Sequence, residues 1–101
     1  HYLVWPNGDI VQMVNPNDTA WHVRGHNANS IGIEMAGYFN RPLTNQQVTE
    51  TAELVSHLLN QYDLQPTVIR AHSQLDPDRR KDPGTENLQR VMTAVTQQRS
   101  R

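Results

Sequence analysis

The stretch 1-HYLVWPNGDIVQMV-14 opens the chain with two short apolar runs on either side of Asn7-Gly8. Asn-Gly readily adopts the positive φ angles that a tight hairpin turn requires, and the flanking runs supply two strands. The sequence therefore predicts a β-hairpin. Because the first residues already resemble a strand, we expect residues 1–101 to be the C-terminal portion of a single domain, with its beginning upstream.

Composition narrows the classes of function. A chain of 101 residues fits one domain with a modest core. Nine basic and ten acidic residues leave a net charge of -1, so the chain has no basic field for binding nucleic acid. No run of about 18 apolar residues exists to span a membrane. Cysteine is absent, so any metal site must use histidine and carboxylate ligands.

Two further strands are predicted. The run 31-IGIEM-35 ends at Gly37 and is typical of a central strand, in which Glu34 is a single, buried carboxylate. The segment 67-TVIRA-71 predicts a short strand that leads directly into a polar loop.

Two helices are also predicted. The segment 44-TNQQ-47 has the pattern of a capping box, and apolar residues then recur at helical spacing, so we expect a helix over residues 45–62. Apolar residues three or four apart from Leu88 to Val95 indicate a C-terminal amphipathic helix that frays over its last five residues. These elements predict an α/β or α+β domain in which the two helices cover the sheet.

The loop 71-AHSQLDPDRRKDPGT-85 contains the clearest candidate for a metal site. His72 ends the predicted strand, and Asp82 follows ten residues later, after a turn. Zinc accepts this pair of ligands, but a catalytic zinc site usually takes three protein ligands and leaves one position for water. Spacing alone leaves open the alternative that His72 is a surface or core histidine.

Other residues allow both a structural and a chemical interpretation. Glu34 is either the partner of buried donors or a general acid and base. The run from Arg79 to Lys81 is either a solvated charge cluster or, beside a metal, a source of oxyanion stabilisation. Trp21 and His22 lie in the long polar connection over residues 15–30, where they either pack in the core or line a binding site.

Taken in order, the hairpin and the segments 20-AWHVRGHN-27, 30-SIGIEMAG-37, 71-AHS-73 and 79-RRKDPG-84 resemble the zinc-dependent N-acetylmuramoyl-L-alanine amidases of the peptidoglycan-recognition-protein fold. The resemblance runs over nearly the whole chain. It implies an α/β fold with a mixed central β-sheet flanked by α-helices, and an N-terminally truncated amidase domain.

The resemblance also implies roles for individual residues. His72 matches the second histidine ligand of the zinc ion and Asp82 the third ligand. Glu34 matches the catalytic carboxylate, and Trp21 and His22 match a motif beside the substrate groove.

The chain departs from the family pattern in two places. The family's first zinc histidine lies on a strand upstream of the hairpin, and His1 matches a different position. We therefore expect that ligand from a missing N-terminal segment, upstream or on a separate chain. Arg80 stands where many relatives have a lysine two residues before the aspartate, and we expect it to stabilise the oxyanion, with a geometry different from that of an ammonium group.

The function implied by the resemblance is hydrolysis of the amide bond between N-acetylmuramic acid and L-alanine of the stem peptide. The expected partner is peptidoglycan or a muropeptide. The expected location is the cell envelope or the extracellular space, or the cytoplasm for a recycling amidase. The alternative is a non-catalytic peptidoglycan-recognition module, which keeps the groove without a working metal site.

Overall fold

The computed structural model describes residues 1–19, 30–37, 41–76, 78 and 81–99. Three strands and three α-helices form the described part of the chain, with one 3-10 turn at Pro66–Val68. The elements are β1 (Tyr2–Val4), β2 (Ile10–Gln12), β3 (Ile33–Met35), α1 (Asn45–Gln61), α2 (His72–Leu75) and α3 (Thr85–Arg99).

The predicted hairpin is confirmed, because β1 pairs with β2 in antiparallel register. Gly8 in the turn has φ +91, a backbone conformation that glycine adopts without steric cost. The Asn7 side chain supports the turn, since its Oδ1 accepts a hydrogen bond from the Asp9 N–H at 3.0 Å. The turn also lies close to α1: a Cβ on Gly8 would come within 3.1 Å of Cγ of Glu50.

The sheet is mixed, since β1 is antiparallel to β2 and parallel to β3. The strand order is β2-β1-β3, so β1 lies in the middle of the described strands and β3 at an edge. The prediction that β3 is a central strand is therefore wrong for the described strands. The reason is that β1 is paired on both sides: Val4 lies opposite Ile10 in β2 and Met35 in β3.

The two faces of the sheet have different surroundings. Val4 is fully buried, and its register partner Met35 packs against the core formed by the helices. Because side chains alternate along a strand, Leu3 and its partner Glu34 lie on the opposite face. Glu34 is exposed, so the prediction of a buried carboxylate is wrong. Side chains alternate between the two faces of the strand, and α1 packs against the face opposite to Glu34, so Glu34 is left exposed.

Helix α1 packs against β1 and β3 on one side and against α3 on the other. The buried core lies mainly between the two long helices and is formed by Leu43, Val48, Ala52, Leu59, Val91 and Val95. The predicted class, an α/β domain with a mixed sheet and helices, is confirmed. The prediction that both long helices cover the sheet needs correction, because α1 contacts the sheet and α3 packs mainly on α1.

The predicted capping box starts α1. The Thr44 hydroxyl accepts a hydrogen bond from the Gln47 N–H at 3.0 Å, and Oε1 of Gln47 accepts one from the Thr44 N–H at 3.1 Å. These reciprocal bonds satisfy two N–H groups that have no partner within the helix. The predicted bounds of this helix are correct to within one residue.

The predicted strand over residues 67–71 is wrong. Pro66 begins a 3-10 turn, and the N–H groups of Val68 and Ile69 donate to the carbonyls of Gln65 and Pro66, each at 3.1 Å. Their backbone donors are therefore used locally instead of in a sheet. His72 consequently begins α2 rather than ending a strand.

Helix α3 continues to Arg99, so fraying is wrong for residues 97–99, and residues 100–101 lie outside the described residues. Two side chains near its end bind α1: Nη1 of Arg99 donates to Oδ1 of Asn60 at 3.1 Å, and Nε2 of Gln98 donates to the Thr49 carbonyl at 3.4 Å. Neither α3 nor any other helix of the described residues is long and apolar enough to cross a membrane.

Candidate active site

The structure brings His72 and Asp82 together, as their positions in the sequence predicted. Nδ1 of His72 lies 3.2 Å from Oδ2 of Asp82. The His72 side chain is 19% exposed and that of Asp82 is 50% exposed. The pair is therefore held on one side by protein and open to solvent on the other, which is the setting that a ligand-binding pair requires.

Main-chain hydrogen bonds hold the two segments against each other. The N–H of Ser73, which follows His72, donates to the Asp82 carbonyl at 3.1 Å. Helix α2 is fixed at its start, because Oε1 of Gln74 accepts a hydrogen bond from the Ala71 N–H at 2.7 Å. Ala71 itself is buried. The pair thus rests on a backbone contact as well as on its side chains.

The donor atoms of this pair suit zinc. Zinc lies about 2.0–2.2 Å from nitrogen and oxygen ligands, so neighbouring ligand atoms of a tetrahedral site lie about 3.3–3.6 Å apart. The 3.2 Å separation between His72 and Asp82 is close to that spacing. The same distance suits a hydrogen bond between the two side chains. Metal binding would replace the proton of that hydrogen bond, because histidine and aspartate bind metal in their deprotonated forms. Within the described ranges, no group of three metal-ligating side chains occurs.

Asn87 was not foreseen from the sequence, yet it anchors the loop that carries Asp82. Its side chain is 3% exposed and makes three hydrogen bonds to backbone. Nδ2 donates to the carbonyls of Pro83 and Arg41, both at 2.8 Å, and Oδ1 accepts from the Leu43 N–H at 3.0 Å. Asn87 lies on the same buried face of α3 as Val91 and Val95. A polar residue at this otherwise apolar position was the feature of the sequence that could have identified it.

Glu34 lies on the face of the sheet opposite to α1. Its carboxylate is exposed, so it lacks the apolar surroundings that the sequence suggested.

His1 precedes β1, and its ring is used for structural hydrogen bonds, in agreement with its matching a family position other than the zinc histidine. Its Nδ1 accepts a hydrogen bond from the Gly32 N–H at 3.0 Å, which leaves Nε2 to donate to the Asp18 carbonyl at 2.6 Å. Both ring nitrogens therefore already have backbone partners. The side chain is buried as well.

Three of the predicted site residues, Trp21, His22 and Arg80, lie outside the described residues. Their predicted roles, in the substrate groove and at the oxyanion, stay predictions. The neighbouring Lys81 is described and exposed.

Two relatives illustrate the similarity of the chain to characterised proteins. The 1,6-anhydro-N-acetylmuramyl-L-alanine amidase AmpD of Haemophilus influenzae is 34% identical over 93 residues, covering 83% of this chain and 50% of the relative. AmpD of Escherichia coli is 33% identical over 92 residues, with coverage of 83% and 50%. The chain thus spans about half the length of these relatives.

Solved structures show the same architecture. The N-acetylmuramoyl-L-alanine amidase LysC from Clostridium intestinale superposes with a TM-score of 0.84 at 26% identity, covering 95% of this chain and 63% of that one. A crystal structure of a selenomethionine derivative of AmpD gives a TM-score of 0.78 at 27% identity, with coverage of 94% and 58%.

The family Amidase_2, N-acetylmuramoyl-L-alanine amidase, matches residues 1–85 of the chain. The matched region contains the hairpin, the exposed carboxylate Glu34 and the pair formed by His72 and Asp82. The chain is therefore a member of the Amidase_2 family of N-acetylmuramoyl-L-alanine amidases.

Proposed function

We propose that the protein is a zinc-dependent amidase that hydrolyses the bond between the lactyl group of N-acetylmuramic acid and L-alanine of the stem peptide. The observation that carries the proposal is the 3.2 Å separation between Nδ1 of His72 and Oδ2 of Asp82, in a chain of the Amidase_2 family. An imidazole nitrogen and a carboxylate oxygen at this spacing form a suitable pair of zinc ligands.

His72 and Asp82 would hold the metal. The backbone bond from Ser73 to the Asp82 carbonyl keeps the two ligands at one point, which lowers the cost of assembling them. When bound, zinc supplies Lewis acidity, which polarises an amide carbonyl and activates water near neutral pH. By the family resemblance, the remaining protein ligand is a histidine on a strand upstream of the hairpin, so residues 1–101 would act as the C-terminal portion of one amidase domain.

Glu34 is proposed to carry the proton. A carboxylate beside the reacting groups accepts a proton from the attacking water and delivers it to the departing alanine nitrogen, which leaves as a neutral amine. The exposure of Glu34 leaves its carboxylate accessible to substrate. Arg80 is proposed to donate to the oxyanion of the tetrahedral intermediate, and Trp21 and His22 to line the substrate groove.

The names of the relatives support a muropeptide as substrate. AmpD of Haemophilus influenzae is named for action on 1,6-anhydro-N-acetylmuramyl-L-alanine, and an anhydromuramyl peptide is accordingly the first substrate to test. Such a recycled fragment would place the protein in the cytoplasm, whereas intact peptidoglycan would place it in the cell envelope or outside the cell. The alternative, a non-catalytic binding module, does not require the juxtaposition of His72 and Asp82.

The role of Glu34 is tested by Glu34→Gln in the complete protein, with release of stem peptide and zinc affinity measured in parallel. We expect turnover to fall by about 100-fold or more, because positioned acid and base groups contribute roughly that factor. Zinc affinity should stay within about twofold, since Glu34 is not among the proposed ligands.

The matched control is Glu53→Gln, which removes an exposed carboxylate from α1. This variant should hydrolyse the muropeptide at the parent rate. Undiminished release by Glu34→Gln would show that Glu34 is not the proton carrier.

A further inference from the structure

We infer that Asn87 is a positioning residue for the metal site, and that its hydrogen bond to the Pro83 carbonyl sets the affinity of the His72 and Asp82 pair for zinc. This inference rests on the proposed role of the pair. The hydrogen bonds of Asn87 go to backbone groups, so it acts through the backbone of the loop that carries Asp82.

The backbone around Asp82 is held from two sides. On one side, the Asp82 carbonyl accepts a hydrogen bond from Ser73, next to His72. On the other side, the carbonyl of the following residue, Pro83, accepts one from Asn87 at 2.8 Å. With two consecutive carbonyls held, the backbone that carries the Asp82 side chain is held too. The carboxylate on this backbone lies 3.2 Å from Nδ1 of His72.

Asn87 is a polar residue on the buried face of α3. It shares the buried stripe of α3 with Val91 and Val95, and burial of an amide costs free energy unless its groups are bonded. Three backbone partners offset that cost. These partners belong to two segments: Pro83 in the Asp82 loop, and Arg41 and Leu43 ahead of α1. Asn87 thus ties the loop to the body of the domain.

Arg90 provides a matched control. One turn further along α3, its Nη1 donates to the Leu43 carbonyl at 2.7 Å and its Nη2 donates to Oδ1 of Asn45 at 3.0 Å. Both residues therefore fasten α3 to the segment ahead of α1. Of the two, Asn87 is the one with a hydrogen bond to the Asp82 loop.

The experiment is a zinc titration of the complete protein, followed by the imidazole nitrogen resonances of His72. The parent is compared with Asn87→Ala and Arg90→Met, and unfolding in urea is recorded for each variant. Alanine removes all three bonds of Asn87, whereas Arg90→Met removes two bonds of α3 to the segment around the start of α1 and leaves the bond to Pro83 in place.

We expect Asn87→Ala to weaken zinc binding by about tenfold or more, as is typical when a residue that supports metal ligands is removed. Arg90→Met should bind zinc within about threefold of the parent, even though it loses stability. If Asn87→Ala does not fold, Asn87→Leu takes its place, because leucine fills a similar volume and has no donor for Pro83.

Two results would overturn the inference. One is parent-like zinc affinity in the folded variant without the donor. The other is an equal loss of affinity in that variant and in Arg90→Met, which would assign the effect to general loosening of α3. Failure of the proposed function gives a different result: the His72 resonances of the parent would then not respond to zinc.

Discussion

At the scale of single residues, Gln47 shows how one buried amide can join a helix to a sheet. Its side chain is 1% exposed. Nε2 donates to the carbonyls of Val4 at 3.2 Å and Ala36 at 2.8 Å, while Oε1 accepts the cap bond from Thr44. Both donors and one acceptor are therefore used, and α1 is fixed relative to the ends of β1 and β3.

The predicted consequence is that Gln47→Glu is destabilising. The change keeps the size of the side chain but places a carboxylate oxygen against two backbone carbonyls, where no donor remains. We expect a loss of about 2–4 kcal/mol in the free energy of unfolding, measured in urea, because a buried charged group is left unpaired.

Gln46→Glu is the control, since Gln46 is exposed in the same first turn of α1. There a negative charge is near the positive end of the helix dipole and should be neutral or slightly stabilising. An equal loss in both variants would contradict the structural role assigned to the Gln47 donors.

Residues differ in how far the sequence could predict them. The proximity of His72 and Asp82 was predictable, because the turn-rich loop between them can bring the chain back to the position of His72. The burial of Glu34 was not, since an apolar strand does not show which of its faces the helices cover. Asn87 was missed because its partners are backbone groups, two of them in the segment ahead of α1, and the spacing of side chains in the sequence does not reveal such bonds.

At the scale of elements, the start of α1 depends on Thr44. Besides capping the helix, its hydroxyl donates to the Pro6 carbonyl in the hairpin, so one side chain joins the helix cap to the β1–β2 turn. The sequence predicted the cap from local spacing. The contact with the hairpin depends on tertiary structure and could not be predicted from it.

Replacement of Thr44 by valine should destabilise the protein. Valine keeps the branched shape and removes the hydroxyl, so we expect a loss of about 1–2 kcal/mol in the free energy of unfolding, as for other N-cap deletions. Thr44→Ser retains the hydroxyl and should lie within about 0.5 kcal/mol of the parent. If valine were tolerated as well as serine, the cap would not determine where α1 begins.

Elements with strong local signals were predicted well, and short apolar runs were not. The hairpin has Asn7-Gly8, and α1 has a capping box followed by a long helical period. The segment 67–71 has neither, and a short apolar run fits a strand or a turn equally well. Here Pro66 and local hydrogen bonds produce a 3-10 turn.

At the scale of the whole molecule, the order of layers places the candidate site. Helix α1 contacts both the sheet and α3, while the Asp82 loop is hydrogen-bonded to α2 and leads into the start of α3. The mixed character of the sheet was implied by the family resemblance, but the central place of β1 was not predicted, because periodicity carries no information on strand order. The two proposed metal ligands come from α2 and from the loop after it, whereas Glu34 comes from β3, so the proposed activity requires the assembled domain.

The most direct test of the account is zinc stoichiometry together with muropeptide hydrolysis. Both are measured on the complete protein and on its His72→Ala and Asp82→Ala variants, by elemental analysis and by release of stem peptide. We expect one zinc per chain and hydrolysis in the parent. Each variant should lose tight zinc binding and turnover together while keeping its helical content, since one ligand of the pair is absent. Zinc and hydrolysis retained by both variants, or hydrolysis by a metal-free parent, would contradict the assignment of His72 and Asp82 as the ligands of a catalytic zinc.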